Sequence, residues 1–162
     1  MDPYPHSYVA NASGALSGAV SVTSPEVAGL ATAPAPQFGG PAGFWSPETL
    51  LTAAIANCYL LTFRAVSGAA LFGWLALECR VEGLVTRVAR VPQFAALGIQ
   101  ATLTIAPGAD SSKARRLLRQ ADRACLIANS LKAQRTLGAR VVVDSAQAPR
   151  PIQPSGPALS SS

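Results

Sequence analysis

Alternating apolar and polar positions near the start of the chain predict two short strands. In residues 15–22, Leu16, Val20 and Val22 fall on one face and serines on the other, which is typical of a strand. The segment EVAGLAT (26–32) is its expected partner. The stretch APAPQFGGPAGFW that follows is rich in Pro and Gly and predicts a loop.

A long helix is predicted from Ser46 to about 67–68. Ser46 is a suitable N-cap, Pro47 takes the first helical position, and Glu48 lies in the first turn. Apolar residues occur on every side of this helix, so we expect it to be buried all round. A single chain of 162 residues encloses such a helix with difficulty, and a second subunit would complete its burial.

The apolar run within this helix predicts a core helix and not a membrane span. It extends only from Leu50 to Phe63 and is closed by Arg64. A membrane span needs about 20 apolar residues.

The second half of the chain predicts a strand pair joined by a loop. Residues 75–85 alternate between apolar side chains, such as Cys79, and charged ones. Residues 97–105 alternate between aliphatic side chains and Gln or Thr. The segment ARVPQF (89–94) lies between them and predicts a turn or loop.

An amphipathic helix and a final strand complete the predicted domain. Asp110 or Ser111 caps the helix, and a break near Cys125 precedes a short helix to about Lys132. The predicted inner stripe consists of Leu117, Ala121, Ala124, Cys125 and Ala128. Residues 137–143 predict a strand with Leu137, Val141 and Val143 facing inward.

The predicted fold class is therefore α+β, with helices on one side of a largely antiparallel sheet. The predicted domain covers residues 13–144. Residues 1–12 are expected to form a flexible arm, and the Pro/Ser-rich segment 145–162 a disordered tail.

Charge is scarce and unevenly distributed. Charged residues make up 13% of the chain, against about 25% in typical soluble domains. Either an extensive subunit interface or an Ala/Gly-rich composition explains this. The net charge is +5, and no Lys or Arg precedes Arg64. The basic run at 113–123 contains no aromatic residue and includes Asp122, so it predicts a solvated helix face and no nucleic-acid site.

Several classes of site are excluded or unsupported. His6 is the one histidine, which leaves too few imidazoles for Ser-His-Asp chemistry or a histidine-based zinc site. The three cysteines lack metal-ligand spacing, and no nucleotide-binding motif occurs. We therefore expect neither a metal nor a cofactor. The segment MDPYPHSY has neither the basic nor the apolar part of a signal peptide, so a cytoplasmic location is expected.

The three cysteines differ in context. Cys79 lies on the apolar face of a predicted strand and is expected to be structural. Cys58 and Cys125 lie in predicted helices that can face one core. Each is explained by packing alone, or the two form a transient disulfide if their Cα atoms come within about 7 Å. Cys58 is in mid-helix, so a reactive thiolate there needs donors from elsewhere in the fold.

The segment SPETLLTAAIANCY, followed far downstream by ADRACLIANSLKA, resembles the OsmC/Ohr family of thiol peroxidases. The resemblance covers roughly residues 15–144 and includes the predicted order of elements. It implies an intertwined homodimer with the long cysteine helices packed centrally. It also implies reduction of organic hydroperoxides, with a dithiol, often lipoyl-based, as the reductant. By resemblance, Cys58 is the attacking cysteine and Cys125 the resolving one, and Glu48 matches the family's glutamate.

The chain departs from the family at one position. Family peroxidases carry an arginine before the cysteine helix that supports the thiolate, and the nearest counterpart here is Gln37, which donates hydrogen bonds but has no charge. An arginine from the second half, such as Arg119 or Arg123, is an alternative. Glu48 has two open roles, since it either stabilises the helix dipole or approaches a cysteine of a partner helix.

Three hypotheses remain open from the sequence. The first is a Cys-based hydroperoxide reductase. The second is a non-enzymatic dimer that binds a small apolar ligand or senses oxidants through Cys58 and Cys125. The third is a protein of this shape with another thiol chemistry.

Overall fold

The computed structural model describes residues 3–144, so the predicted tail at 145–162 lies outside the described residues. Two three-stranded sheets and three α-helices make up this part of the chain. In chain order, the elements are β1 (Asn11–Ser13), β2 (Val20–Thr23), β3 (Leu30–Thr32), α1 (Pro47–Ala69), β4 (Ala76–Val88), β5 (Val91–Ile105), α2 (Ser111–Ala124), α3 (Leu126–Asn129) and β6 (Gln134–Val143).

The small sheet has the antiparallel order β1-β2-β3. The prediction that 26–32 pairs with the preceding strand is confirmed, because Val22 pairs with Leu30. The predicted strand at 15–22 is wrong in its first half. It begins only at Val20, since the chain turns before it and Gly18 has a φ of 94°. β1 starts at Asn11 and therefore crosses the predicted boundary between arm and domain.

β4 and β5 form a long antiparallel hairpin in the main sheet, which has the order β4-β5-β6. The predicted hairpin turn or loop at 89–94 is confirmed but is shorter than expected: Ala89 and Arg90 form a two-residue turn with φ values of 50° and 69°, and β5 begins at Val91. Pro92 lies within β5. The strand tolerates it because β6 begins opposite Ala96, so this end of β5 pairs with β4 alone.

β6 runs parallel to β5, so the main sheet is antiparallel in one of its two pairings and parallel in the other. The chain returns from Ile105 through α2 and α3 before β6 begins. This is a strand–helix–strand crossover, which brings both strands into the same direction. β6 begins at Gln134, earlier than predicted. Leu137 and Val141 are partly buried as expected, but Val143 is 48% exposed.

The predicted start of α1 is confirmed by its capping contacts. Ser46 Oγ accepts from the backbone N–H of Thr49, and Thr49 Oγ1 accepts from the backbone N–H of Ser46. These two contacts form a capping box, which satisfies N–H groups that the first turn leaves free. Glu48 lies in the first turn, and the helix continues to Ala69.

The single chain buries α1 only in part, and burial on every side by a second subunit stays a prediction. One stripe of the helix is buried, formed by Ile55, Tyr59, Phe63 and Ser67. Leu61, on another face, is 49% exposed. By length and composition alone α1 is long and apolar enough to cross a membrane, and its buried stripe packs into the core of the domain.

α2 is capped by Asp110, whose Oδ1 accepts from the N–H groups of Ser112 and Lys113. The predicted inner stripe is confirmed except for Ala124, the last residue of the helix, which is exposed. Buried α2 residues include Ala114, Leu117, Leu118 and Ala121. They meet α1 through a hydrogen bond from Tyr59 Oη to the carbonyl oxygen of Leu118, 3.1 Å long and buried.

Candidate functional site

The fold brings Cys58 and Cys125 together, although they lie in different helices. Cys58 is half-buried in the middle of α1. Cys125 is completely buried at the break between α2 and α3, where its extended backbone (φ −67°, ψ 105°) ends one helix and begins the next. The two thiols are close enough for each to influence the pKa of the other, and both cysteines are free.

The surroundings of Cys58 favour its thiolate. Burial raises the pKa of Cys58, but hydrogen bonds from the backbone N–H of Ile127, the Cys125 thiol, the Thr62 hydroxyl and the backbone N–H of Leu126 outweigh it. The net pKa of Cys58 is therefore lowered. Thr62 lies one turn along α1, with its Oγ1 4.0 Å from Cys58 Sγ. These groups are the donors that a mid-helix thiol requires from the rest of the fold.

The pKa values of the other two cysteines, Cys125 and Cys79, are shifted in the opposite direction. Burial raises the pKa of Cys125 to about 11, and the neighbouring Cys58 acts in the same direction. Burial also raises the pKa of Cys79, on β4, to about 11. Of the three thiols, Cys58 alone has a lowered pKa, so it is the one suited to attack at neutral pH.

An arginine approaches the pair from β6. Arg135 Nε lies 2.9 Å from Asp122 Oδ1, with both side chains about four-fifths buried. Its charge acts to lower the pKa of Cys125, against the larger effect of burial. Sequence reasoning missed Arg135, because no pattern around it marks a site. The sequence candidates Arg119 and Arg123 are exposed and line a shallow groove beside Asp122.

Glu48 and Gln37 lie elsewhere, in an open groove of about 1000 Å³ between the start of α1 and the β4–β5 hairpin. Its polar lining includes Arg80 and its apolar lining includes Phe94. Glu48 Oε2 is buried with no hydrogen-bond partner in the described part of the chain. The cysteine pair does not line this groove. Ten helical residues, about 15 Å, separate Glu48 from Cys58.

Within residues 3–144, no group of three or more His, Cys, Asp or Glu side chains is arranged to hold a metal ion. His6 instead contacts the ring of Tyr4, with ring centroids 4.9 Å apart.

Several solved structures share this fold, among them the following three. An OsmC-like protein of unknown function from Vibrio cholerae matches with a TM-score of 0.75 and 12% identity, over 85% of this chain and all of that one. An organic hydroperoxide resistance protein from Elizabethkingia anophelis matches with a TM-score of 0.71 and 17% identity, over 87% of this chain and 99% of that one. The organic hydroperoxide resistance protein OsmC from Legionella pneumophila matches with a TM-score of 0.66 and 22% identity, over 86% and 98%.

A search of curated protein sequences finds no significant match. Because the sequence identities to the solved structures are low, these matches show the shared fold and no more specific property. The sequence itself matches the family described as OsmC-like protein over residues 40–138, a stretch that contains both Cys58 and Cys125. The predicted resemblance is confirmed, and the chain belongs to the OsmC-like protein family.

Proposed function

We propose that the protein is a thiol-dependent peroxidase that reduces organic hydroperoxides, with Cys58 attacking and Cys125 resolving. The observation that carries this proposal is the proximity of the two thiols, whose pKa values influence each other and are shifted in opposite directions. Relatives of the same fold named organic hydroperoxide resistance proteins support the choice of substrate class.

In the first step, the Cys58 thiolate attacks one oxygen of the hydroperoxide. The S–O bond forms as the O–O bond breaks, and the alkoxide leaves and takes up a proton to become an alcohol. Cys58 is oxidised to a sulfenic acid. The donors from Leu126, Ile127 and Thr62 stabilise the thiolate before attack.

In the second step, Cys125 attacks the sulfur of the sulfenic acid. A disulfide forms and water leaves, which protects Cys58 from further oxidation. Two of the effects that raise the pKa of Cys125, after burial, come from Cys58 itself. Conversion of the thiolate to a neutral sulfenic acid removes the charge effect. Cys125 therefore becomes more acidic when it is needed, with Arg135 close by.

A dithiol then reduces the Cys58–Cys125 disulfide by thiol–disulfide exchange and becomes a disulfide itself. A lipoyl-bearing protein is the reductant that the family resemblance favours. We place the reaction in the cytoplasm, where thiols are kept reduced. The cycle needs no metal or cofactor beyond this dithiol.

A homodimer is part of the proposal. α1 leaves apolar surface uncovered in the single chain, including Leu61, and a second α1 packed antiparallel would cover it. Within one subunit, Glu48 lies too far along α1 to reach Cys58. Antiparallel packing would bring Glu48 of one subunit toward the cysteine pair of the other. Gln37 shares the groove with Glu48 and would act as an uncharged donor to the thiolate.

The groove favours a second candidate function. Its volume of about 1000 Å³ and its mixture of apolar and polar walls suit a small ligand. The protein would then bind such a ligand, or sense oxidants through Cys58 and Cys125, without turnover.

The test is consumption of cumene hydroperoxide with dihydrolipoamide as reductant. We expect saturable turnover by the wild type, loss of turnover in Cys58→Ser, and rapid inactivation of Cys125→Ser. Cys79→Ser is the matched control and is expected to retain activity, because Cys79 lies outside the pair. If the wild type is no faster than Cys58→Ser at any pH up to about 9, the peroxidase proposal fails.

The remaining outcomes separate the other hypotheses. A disulfide that forms between Cys58 and Cys125 without turnover supports the sensing role. A reaction that requires Cys58 but does not consume peroxide supports another thiol chemistry.

A further inference from the structure

Arg135 connects three separate parts of the chain around the cysteine pair. Its Nε contacts Asp122 Oδ1 at 2.9 Å, near the end of α2. Its Nη1 donates to Asn129 Oδ1 at 3.0 Å, at the end of α3. Asn129 Nδ2 in turn donates to the carbonyl oxygen of Arg123 at 2.9 Å. One guanidinium on β6 thus binds both helices that flank Cys125.

These contacts enclose the segment 122–129, which we call the α2–α3 corner. Its backbone is also closed internally, since the N–H of Cys125 donates to the Asp122 carbonyl and the N–H of Asn129 donates to the Cys125 carbonyl. The corner carries Cys125 and the backbone N–H groups of Leu126 and Ile127, both of which act to lower the pKa of Cys58.

The ion pair between Arg135 and Asp122 is unlike the exposed pairs of a protein surface. Its side chains are 20% and 19% exposed, whereas the Arg80–Glu82 pair spans 3.8 Å with both side chains 79% exposed. Exposed pairs contribute little, because water screens them and side-chain entropy opposes them. The planar guanidinium of Arg135 forms an ion pair with Asp122 and a hydrogen bond with Asn129 at once, which ties the end of α2 to the end of α3.

We infer that Arg135 is a positioning residue for the cysteine pair: by binding Asp122 and Asn129 together, it holds the α2–α3 corner so that the Leu126 and Ile127 N–H groups face Cys58. The inference rests on the proposed role of Cys58 as the reacting thiol. Arg135 acts through the backbone of the corner and does not itself touch Cys58.

The test measures the reactivity of Cys58 without any peroxide. Reduced protein is alkylated with iodoacetamide across a range of pH, and the Cys58 peptide is quantified by mass spectrometry. The titratable or charged groups around the pair are Tyr59 on α1, Cys79 on β4, Asp122 on α2 and Arg135 on β6. The thermal midpoint of each variant is recorded alongside, so that loss of the fold is distinguished from loss of position.

We expect Arg135→Gln to slow alkylation of Cys58 at pH 7 by about fivefold and to move its pH midpoint upward, since the thiolate loses hydrogen bonds. Arg135→Lys keeps the positive charge but cannot contact Asp122 and Asn129 at once. We therefore expect its rate of Cys58 alkylation to be within about twofold of the rate in Arg135→Gln. Arg140→Gln removes an exposed charge from the same strand and is expected to react as the wild type does.

An unchanged rate in Arg135→Gln overturns the inference, and so does full recovery in Arg135→Lys, which would assign the effect to charge alone. If Arg135→Gln does not fold, Asn129→Ala removes one acceptor and leaves the Asp122 ion pair in place. Slowed alkylation in Asn129→Ala supports the inference, and an unchanged rate overturns it. Failure of peroxide turnover alone would count against the proposed function and leave this result standing.

Discussion

Replacement of Cys125 by Ala or by Ser separates its effect as a hydrogen-bond donor from its proposed role as a resolving thiol. Neither variant can form the disulfide, but Ser keeps a hydroxyl that can donate to Cys58, and Ala does not. In the wild type, burial raises the pKa of Cys125 to about 11, so its thiol stays protonated and donates to Cys58 at neutral pH.

The size of the effect follows from one hydrogen bond to an anion. We take about 1 kcal/mol for the hydrogen bond from the Ser hydroxyl, below the usual range for a charged acceptor because Cys58 is only half-buried. That loss reduces the thiolate fraction about fivefold. The remaining thiolate is about twice as nucleophilic, because nucleophilicity rises with thiol pKa. Below the pKa of Cys58, Cys125→Ala should therefore alkylate about twofold to threefold more slowly than Cys125→Ser.

The assay is alkylation of Cys58 by iodoacetamide from pH 6 to pH 10 or so, quantified on the Cys58 peptide. The two rate curves should cross, because above the pKa of Cys58 the more basic thiolate of Cys125→Ala reacts faster. Curves that superimpose over the whole range would refute the reasoning that Cys125 supports the Cys58 thiolate by hydrogen bonding.

Three further predictions concern stability and assembly. Tyr59→Phe loses the buried hydrogen bond to Leu118 and should lower the free energy of unfolding by about 1 kcal/mol in urea denaturation; a loss no larger than in the exposed control Tyr8→Phe would contradict this. Between pH 9 and about 11, unfolding releases the Cys125 proton that the folded state retains, so stability falls as pH rises. In Cys125→Ser the fall should be shallower by up to about 1.4 kcal/mol per pH unit, and an equal slope would argue against the shifted pKa. Leu61→Glu should convert a dimer to a monomer in size-exclusion chromatography with light scattering, whereas a monomeric wild type would refute the proposed interface.

Local signals explain why the cysteine helix was predicted well. Ser46, Pro47 and Glu48 mark its start, and each acts within one turn. The β4–β5 turn was predicted within 89–94 but not as short as it is, because Ala89 and Arg90 adopt positive φ without the Asn-Gly signature of two-residue turns. The direction of β6 was also missed, since strand direction depends on the path of the crossover and not on alternation.

The two cysteines of the candidate site could be named from the sequence, but the groups that surround them could not. Cys58 and Cys125 could be named because their sequence contexts resemble the family. The groups that lower the pKa of Cys58 include the backbone N–H groups of Leu126 and Ile127, which no residue type identifies. Arg135 reaches the corner only through tertiary structure, so its position on a strand carries no local signal.

The central claim is that Cys58 and Cys125 form a disulfide in response to a hydroperoxide. The most direct measurement adds one equivalent of cumene hydroperoxide to the reduced protein, without reductant, and maps the disulfides by peptide mass spectrometry. The account predicts one intrachain bond between Cys58 and Cys125, with Cys79 still a free thiol. Persistence of the Cys58 thiol, or a bond that includes Cys79, would contradict it.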